Sequence, residues 1–464
     1  MKIKINNLGS VKSGSIDLNK RFNLLCGQNG TGKTYFSYVL YGLLRTKLHV
    51  RGDVLPIDEL VNNRSSEWVI DYKALYDYRS SMQSSLVGKL DVLFGLGEDD
   101  SKKLFSDFSL EFEDDINSFA KELYNSSFSI VESISGVNID VIKDQNTDVV
   151  SFRIIDQDIP TSAIGEIRFS LQSLLFYDLV TYPVREVVIF PIERNSIYTF
   201  SKELSIRKQE AVDNFQQMVS KDRKKISFLD LFFQNNKRYP LPIRDGLMVA
   251  EDLVEYKKQK SPFYDFAEEM ENNLLHGKIQ ISSDGDIQFR PDKSLRTVLP
   301  IQMTASMIKT LSSLVVYLKH IARENDLIII DEPEVNLHPD NQIVLTRLLA
   351  RLMNKGFRLL VSTHSDYVIR EINNLVMMSH VNNTRVLKIA DTNGYSSEEF
   401  INKDDLAVHI FEYKRANSKK VNVVDHKVDD FGFDVKTIDS IIETQTDLSE
   451  RLYYALKYKT YADN

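Results

Sequence analysis

Cysteine occurs once in 464 residues, at Cys26, so a single chain can build neither an internal disulfide framework nor a cysteine-based zinc site, and a C-x-x-C zinc hook is excluded with them. No apolar run is long enough to span a bilayer, and the opening Met1-Lys2-Ile3-Lys4-Ile5-Asn6 alternates like a strand without the apolar core of a signal peptide. The expectation is a cytoplasmic chain with no membrane partner. Basic charge is not in excess either. With 58 Lys and Arg against 66 Asp and Glu, the formal net charge of -8 argues against a surface that attracts nucleic acid everywhere. Local basic patches at Lys221, Arg223, Lys224 and Lys225, or at Lys257, Lys258 and Lys260, keep DNA open as a partner. Sustained a/d heptads are missing between about Thr46 and Tyr182, which excludes a long coiled-coil arm there. The length exceeds what one core fills, so two or more lobes are expected.

Against these absences stands Gly27-Gln28-Asn29-Gly30-Thr31-Gly32-Lys33-Thr34, which satisfies G-x-x-x-x-G-K-[ST]. The glycines let successive backbone N–H groups turn inward as an anion nest, Lys33 can reach β- and γ-phosphates, and the Thr34 hydroxyl can meet Mg2+. Phe22-Asn23-Leu24-Leu25-Cys26 reads as a short buried strand entering this loop. Tyr35, Phe36, Val39, Leu40, Leu43 and Leu44 then fall at helical spacing, which sets the positive end of a helix dipole under the phosphates. Strand, loop and helix together predict a nucleotide site.

About 300 residues later, Leu327-Ile328-Ile329-Ile330-Asp331-Glu332-Pro333 is an apolar run ending in two carboxylates, the Walker B pattern of a buried parallel strand. Asp331 is assigned to the metal and Glu332, one residue past the strand end, to activation of the attacking water. Phe357-Arg358-Leu359-Leu360-Val361-Ser362 predicts another core strand, and His364 in Thr363-His364-Ser365 follows it as a candidate γ-phosphate sensor near the carboxyl edge of the same sheet.

Gly27 to Thr34, Asp331-Glu332-Pro333-Glu334-Val335-Asn336-Leu337-His338-Pro339 and Ser362-Thr363-His364-Ser365 together resemble the ABC-type ATPases of the SMC and RecF group, and more closely the stand-alone bacterial members grouped with OLD-family ATPases (AAA_15). The resemblance implies an α/β fold: a P-loop ABC-type ATPase head on a mixed sheet, flanked by inserted, mainly helical lobes. It implies ATP and Mg2+ as cofactors, with Gly27, Asn29, Gly30, Thr31, Gly32, Lys33 and Thr34 on the nucleotide and Thr34 and Asp331 on the metal. Glu332 and His364 take the catalytic roles, and Glu334 to Pro339 form a loop facing a second subunit. ABC-type sites are composite, and the matching signature segment here is Thr304-Ala305-Ser306-Met307-Ile308-Lys309. Met307 stands where a glycine is common, which leaves Ser306 for the contact in trans; read without the family, Thr304 or Ser306 is a helix cap. Val187-Val188-Ile189-Phe190 followed by Pro191-Ile192-Glu193-Arg194 is similar to the strand and P-x-x-R element of OLD-like ATPases, or else a strand end with a surface turn.

The implied organisation places residues 1–45 and 278–400 in the head with a strand from 183–200, makes 46–182 an insertion lobe and 201–277 a mainly helical insertion, and leaves 401–464 as a strand-and-helix tail. Gly277 to Arg290 predicts a hairpin turning at Asp284-Gly285. Thr384 to Ala390 and Val421 to Val424 read as strands, and Ile438, Ile441, Ile442, Leu448, Leu452 and Leu456 as a terminal helix. The tail lacks the glutamate and D-x-D set of the TOPRIM nuclease that completes OLD proteins. In the resembling group, such nuclease-free ATPase subunits occur in antiphage defence systems, including PARIS and Septu. That implies a homodimer or higher homo-oligomer that controls a separate effector, a nuclease or toxin. A RecF-like repair or recombination ATPase that binds DNA is the alternative.

Overall fold

The computed structural model describes residues 1–50, 52–156, 159–160, 162–199, 239–292, 297–413 and 420–457. Its strands are β1 (Lys2–Leu8), β2 (Val11–Asp17), β3 (Phe22–Gly27), β4 (Ser65–Val69), β5 (Ser109–Phe112), β6 (Phe128–Ile134), β7 (Val137–Lys143), β8 (Val149–Ile154), β9 (Val187–Phe190), β10 (Gly277–Ile281), β11 (Ile287–Pro291), β12 (Leu299–Pro300), β13 (Leu327–Asp331), β14 (Arg358–Thr363), β15 (Leu406–Tyr413) and β16 (Val421–His426). Nine of them form one mixed sheet in the order β5-β1-β2-β16-β15-β3-β14-β13-β9. The five from β15 to β9 are parallel, and antiparallel pairs β15–β16, β2–β1 and β1–β5 extend the sheet on one side.

Every residue of β3 and β13 is buried, as their unbroken apolar runs require when helices cover both faces. Alternate side chains enter different cores. Leu25, Ile329 and Leu360 pack with helix Lys33–Leu44, whereas Leu24, Cys26, Ile328, Ile330 and Val361 pack with helices Ser306–His320, Pro339–Asn354 and Asp366–Met378. Register then aligns the strand ends: Thr363 pairs with Cys26, Asp331 with Ser362, and Phe411 with Gly27. This alignment brings segments 300 residues apart to one edge.

The strand-and-helix segment expected over 401–464 supplies strands to the main sheet: β15 pairs in parallel with β3 itself and β16 joins β15 to β2. The physical reason is that the loop-bearing strand β3 would otherwise end the parallel block with an unpaired edge. Thr384 to Ala390 is a helix, Thr384–Thr392, not a strand. The Asn383 side chain accepts from the amides of Arg385 and Val386, and this cap prevails over a β-branched start. Leu387 and Ile389 are exposed on it. Helix Lys436–Lys457 lies where a terminal helix is expected.

The insertion over 46–182 packs onto the main sheet. It holds a four-stranded antiparallel sheet, β4-β8-β7-β6, and several helices, while its β5 pairs with β1 and its side chains share one core with helix Lys33–Leu44. Of the helical insertion, 239–275 is described and is helical, while Lys221, Arg223, Lys224 and Lys225 lie outside the described residues. In the other basic candidate, Lys257 donates to the Ser282 carbonyl at 2.7 Å, Lys258 pairs with Glu255 at 2.7 Å and Lys260 lies 4.4 Å from the Tyr264 ring centre. The hairpin β10–β11 turns at Asp284-Gly285 with Gly285 at φ +84.

Candidate nucleotide site

The loop between β3 and helix Lys33–Leu44 is shaped by glycines at positive φ, with Gly27 at 143°, Gly30 at 76° and Gly32 at 97°. Two of them are also forced by space. A Cβ on Gly27 would lie 2.4 Å from the Phe411 carbonyl oxygen of β15, and one on Gly32 would lie 2.7 Å from Val11 Cγ2. Gly32 is the N-cap of the following helix, which has no side-chain cap and no acidic residue in its first turn. Its first amides are therefore open to an anion. Asn29 is exposed at the loop's tip, and Thr31 is buried with its hydroxyl on the Gln28 carbonyl at 2.8 Å.

Lys33 is buried, and its ammonium donates to the carbonyls of Gly27 at 2.8 Å and Gln28 at 3.0 Å. Burial pulls its pKa below the ordinary lysine value, while Glu332 and Asp331 pull it back up. Cys26, directly before the loop, is an inert thiol: burial pushes it up to about 12.

The two carboxylates at the end of β13 have different surroundings. Asp331 is buried; it accepts from Thr34 Oγ1 at 2.7 Å on one oxygen and from the Ser362 hydroxyl on the other. Glu332 turns away through a left-handed backbone, φ +47, which is strained for a residue with a side chain. Its amide donates to Ser362 Oγ at 3.1 Å, and its carboxylate lies 3.2 Å from Nδ1 of His364. That hydrogen bond is the largest influence on both partners: it holds Glu332 below the ordinary carboxylate range and lifts His364 above the ordinary imidazole value. Ser365 caps the next helix through the Val368 amide, so the chain breaks from β14 with His364 at the corner. Lys33, Thr34, Asp331, Glu332 and His364 are thus brought together on one edge.

Ser306 is exposed at the first turn of helix Ser306–His320, whose N-terminus has no side-chain cap. The cap reading therefore fails, and Thr304 Oγ1 turns back to the Ile301 carbonyl at 2.6 Å. In the loop after β13, Asn336 and His338 face outward, but Glu334 and Leu337 are buried. Glu334 accepts from Thr363 Oγ1 at 2.6 Å and the His364 amide at 3.2 Å, and burial raises its pKa. Its carboxylate turns inward and braces the end of β14. In the P-x-x-R element Ile192 and Glu193 form an exposed turn, but the Arg194 guanidinium is buried and bonds the main chain of Asp331 and Glu332 at 2.7 and 2.8 Å. The proline-to-arginine spacing was the one signal for it, whereas Ser362 was signalled by its place in Ser362-Thr363-His364-Ser365 at a strand end without a role of its own.

Among the described residues no group of three or more His, Cys, Asp or Glu could hold a metal. Mg2+ on a triphosphate takes one or two protein oxygens and completes its shell with phosphate and water. Thr34 Oγ1 and Asp331, already 2.7 Å apart, are such a hard-oxygen pair.

Residues 1–369 match the AAA ATPase domain family AAA_15, so the chain belongs to that family and is an ATP-binding ATPase. A comparison with curated proteins finds no match. Among solved structures, the chain is similar to an SMC head bound to the C-winged helix domain of ScpA, with 11% identity over 92% of this chain and 97% of that one and a TM-score of 0.37. It is also similar to an SMC head with an extended coiled coil bound to the C-terminal domain of ScpA derived from Pyrococcus furiosus (12% identity, 97% and 98% covered, TM-score 0.35). A third is the SMC head domain from Thermotoga maritima (10%, 91% and 97%, 0.31). At such scores nothing further rests on these three. No helix among the described residues is long and apolar enough to cross a membrane.

Proposed function

We propose that two copies of this chain close on Mg2+ and ATP in composite, ABC-type sites, and that this nucleotide-driven assembly holds or releases a separate effector in an antiphage defence system. The observation that carries the composite reading is a division of labour. Loop, carboxylates and His364 share one edge, while Ser306 stands exposed at a helix N-terminus without a side-chain cap. Support for the effector role is the resemblance to ATPase subunits that act through partner nucleases.

In this reading the amides of Gly30 to Lys33 and the Lys33 ammonium bind the β- and γ-phosphates, whose oxygens replace the carbonyls that Lys33 now contacts. Thr34 and Asp331 hold Mg2+, which neutralises charge on the phosphates. Glu332 accepts the proton of the attacking water. The remaining nitrogen of His364 donates to a γ-phosphate oxygen; its pKa, raised by Glu332, favours that donor form. Ser306 of the second copy closes the site.

Glu332→Gln is the test. It should keep ATP affinity within about 3-fold and lower turnover by roughly 100-fold or more, with the ATP-bound assembly accumulating in mass photometry. Normal turnover would remove Glu332 as the base. Capture of the ATP-bound variant from the host should bring down a nuclease or toxin; a complex with DNA alone, with turnover that rises on added DNA and falls steeply with salt, would transfer the proposal to repair or recombination.

A further inference from the structure

Arg194 touches none of the groups assigned to nucleotide or metal through their side chains, yet it is 3% exposed and makes four hydrogen bonds. All four go to main-chain carbonyls: Nη1 to Pro191 at 3.0 Å and Asp331 at 2.7 Å, Nη2 to Glu332 at 2.8 Å, and Nε to Thr310 at 3.3 Å. These oxygens belong to three segments far apart in sequence: the end of β9, the end of β13 and the second turn of helix Ser306–His320. Only a planar fork with donors on separate nitrogens can bridge them together.

The contact on Thr310 is connected further. Thr310 Oγ1 donates to the Ser306 carbonyl at 2.9 Å, so hydrogen bonds of 2.9, 3.3 and 2.8 Å run from Ser306 through Thr310 and Arg194 to the Glu332 carbonyl. The far end of this path is the left-handed Glu332, a conformation that persists only where its surroundings over-determine it. Ser362 holds the amide side of Glu332 and Arg194 holds the carbonyl side.

We propose that Arg194 is a positioning residue that transmits engagement of Ser306 by the second copy's nucleotide to the backbone that aims Glu332. The proposal rests on the composite-site reading above. Seating Ser306 on a γ-phosphate loads its helix, Thr310 moves with it, and the guanidinium passes that displacement to the Asp331-Glu332 main chain. Each site is then made active by closure of the assembly, and binding without closure leaves Glu332 out of place.

Arg194→Lys keeps a charge but cannot span three segments. It should leave the Kd for a fluorescent ATP analogue within about 3-fold and KM nearly unchanged, while kcat falls about 10- to 100-fold. Adding Ser306→Ala to Arg194→Lys should lower kcat little further, because both changes cut one path. If the Arg194→Lys kcat stays within 2-fold of wild type, or if the two losses multiply, the coupling is overturned. Thr310→Val, close in shape and less disruptive to folding, removes only the bond to Ser306. It should lower kcat roughly 3- to 10-fold, with Thr310→Ser restoring it, and an unchanged Thr310→Val overturns the path even where Arg194→Lys does not fold. A composite-site failure looks different: Ser306→Ala alone would then turn over normally while Glu332→Gln still loses turnover.

Discussion

Arg194 in the head and Arg79 in the inserted segment are both buried, at 3% and 1% exposure, and burial pushes both guanidinium groups down to about 10, yet they are held by opposite means. Every nitrogen of Arg194 meets a carbonyl. Arg79, on helix Tyr72–Val87, bonds one carbonyl, that of Val180 at 3.1 Å, and its other two nitrogens have no hydrogen-bond partner among the described residues. It lies 3.9 and 4.8 Å from the ring centres of Phe119 and Phe112, with Asp114 at 3.7 Å. Aromatic faces tolerate small shifts of a cation, whereas a set of four directed hydrogen bonds does not. The inserted segment is therefore built for packing and the carboxyl edge of the head for geometry.

The largest expected effect lies at the edge. Lys33→Ala should weaken ATP binding by roughly 100-fold or more in calorimetry, while the melting temperature without nucleotide moves by only a few degrees, about the shift expected of a single moderate change. A large loss of apo stability with normal affinity would show that the edge, too, is held mainly by packing. Next comes Arg79→Met, which removes a poorly satisfied buried charge and keeps its apolar stem. Unfolding in urea should place it within about 1 kcal/mol of wild type or above it, with ATP turnover unchanged. A turnover loss of several-fold would break the comparison by tying the insertion to the chemistry.

The smallest effect is the pH dependence of the His364–Glu332 pair. With His364 raised and Glu332 lowered, both are charged between their two values, so the contribution of the pair is full between the ordinary carboxylate and imidazole values. It is lost as pH rises through the raised imidazole value, and again as pH falls through the depressed carboxylate value. The melting-temperature gap between wild type and His364→Gln should be widest between the ordinary carboxylate and imidazole values and close as pH rises through the raised imidazole value; it will be small, because His364 is 42% exposed and solvent screens the pair. A gap that does not vary with pH would show that the pair is not ionic.

Much of the site was legible because its chemistry is written in short runs. Gly27 to Thr34 and Leu327 to Glu332 each carry their local geometry with them, and both occupy the elements expected. Residues that act through distant partners were harder to read. Glu334 belongs to the same motif as Glu332 but turns inward to Thr363, and nothing in a one-dimensional pattern distinguishes the two directions. Leu406 to Tyr413, a strand that the pattern reading did not single out, pairs with β3, and that pairing depends on which edge of the sheet is free.

From its sequence alone this chain was committed to a phosphate-binding loop, a strand ending in two carboxylates, and helices and strands of mostly correct type, since backbone preference and hydrophobic period act over a few residues. Tertiary structure alone decided that β15 completes the sheet beside β3, that Glu334 turns inward to Thr363, and that Arg194 joins three segments at the Glu332 backbone. Those outcomes depend on which partners burial leaves for each polar group, and partners hundreds of residues apart leave no periodic trace in the chain.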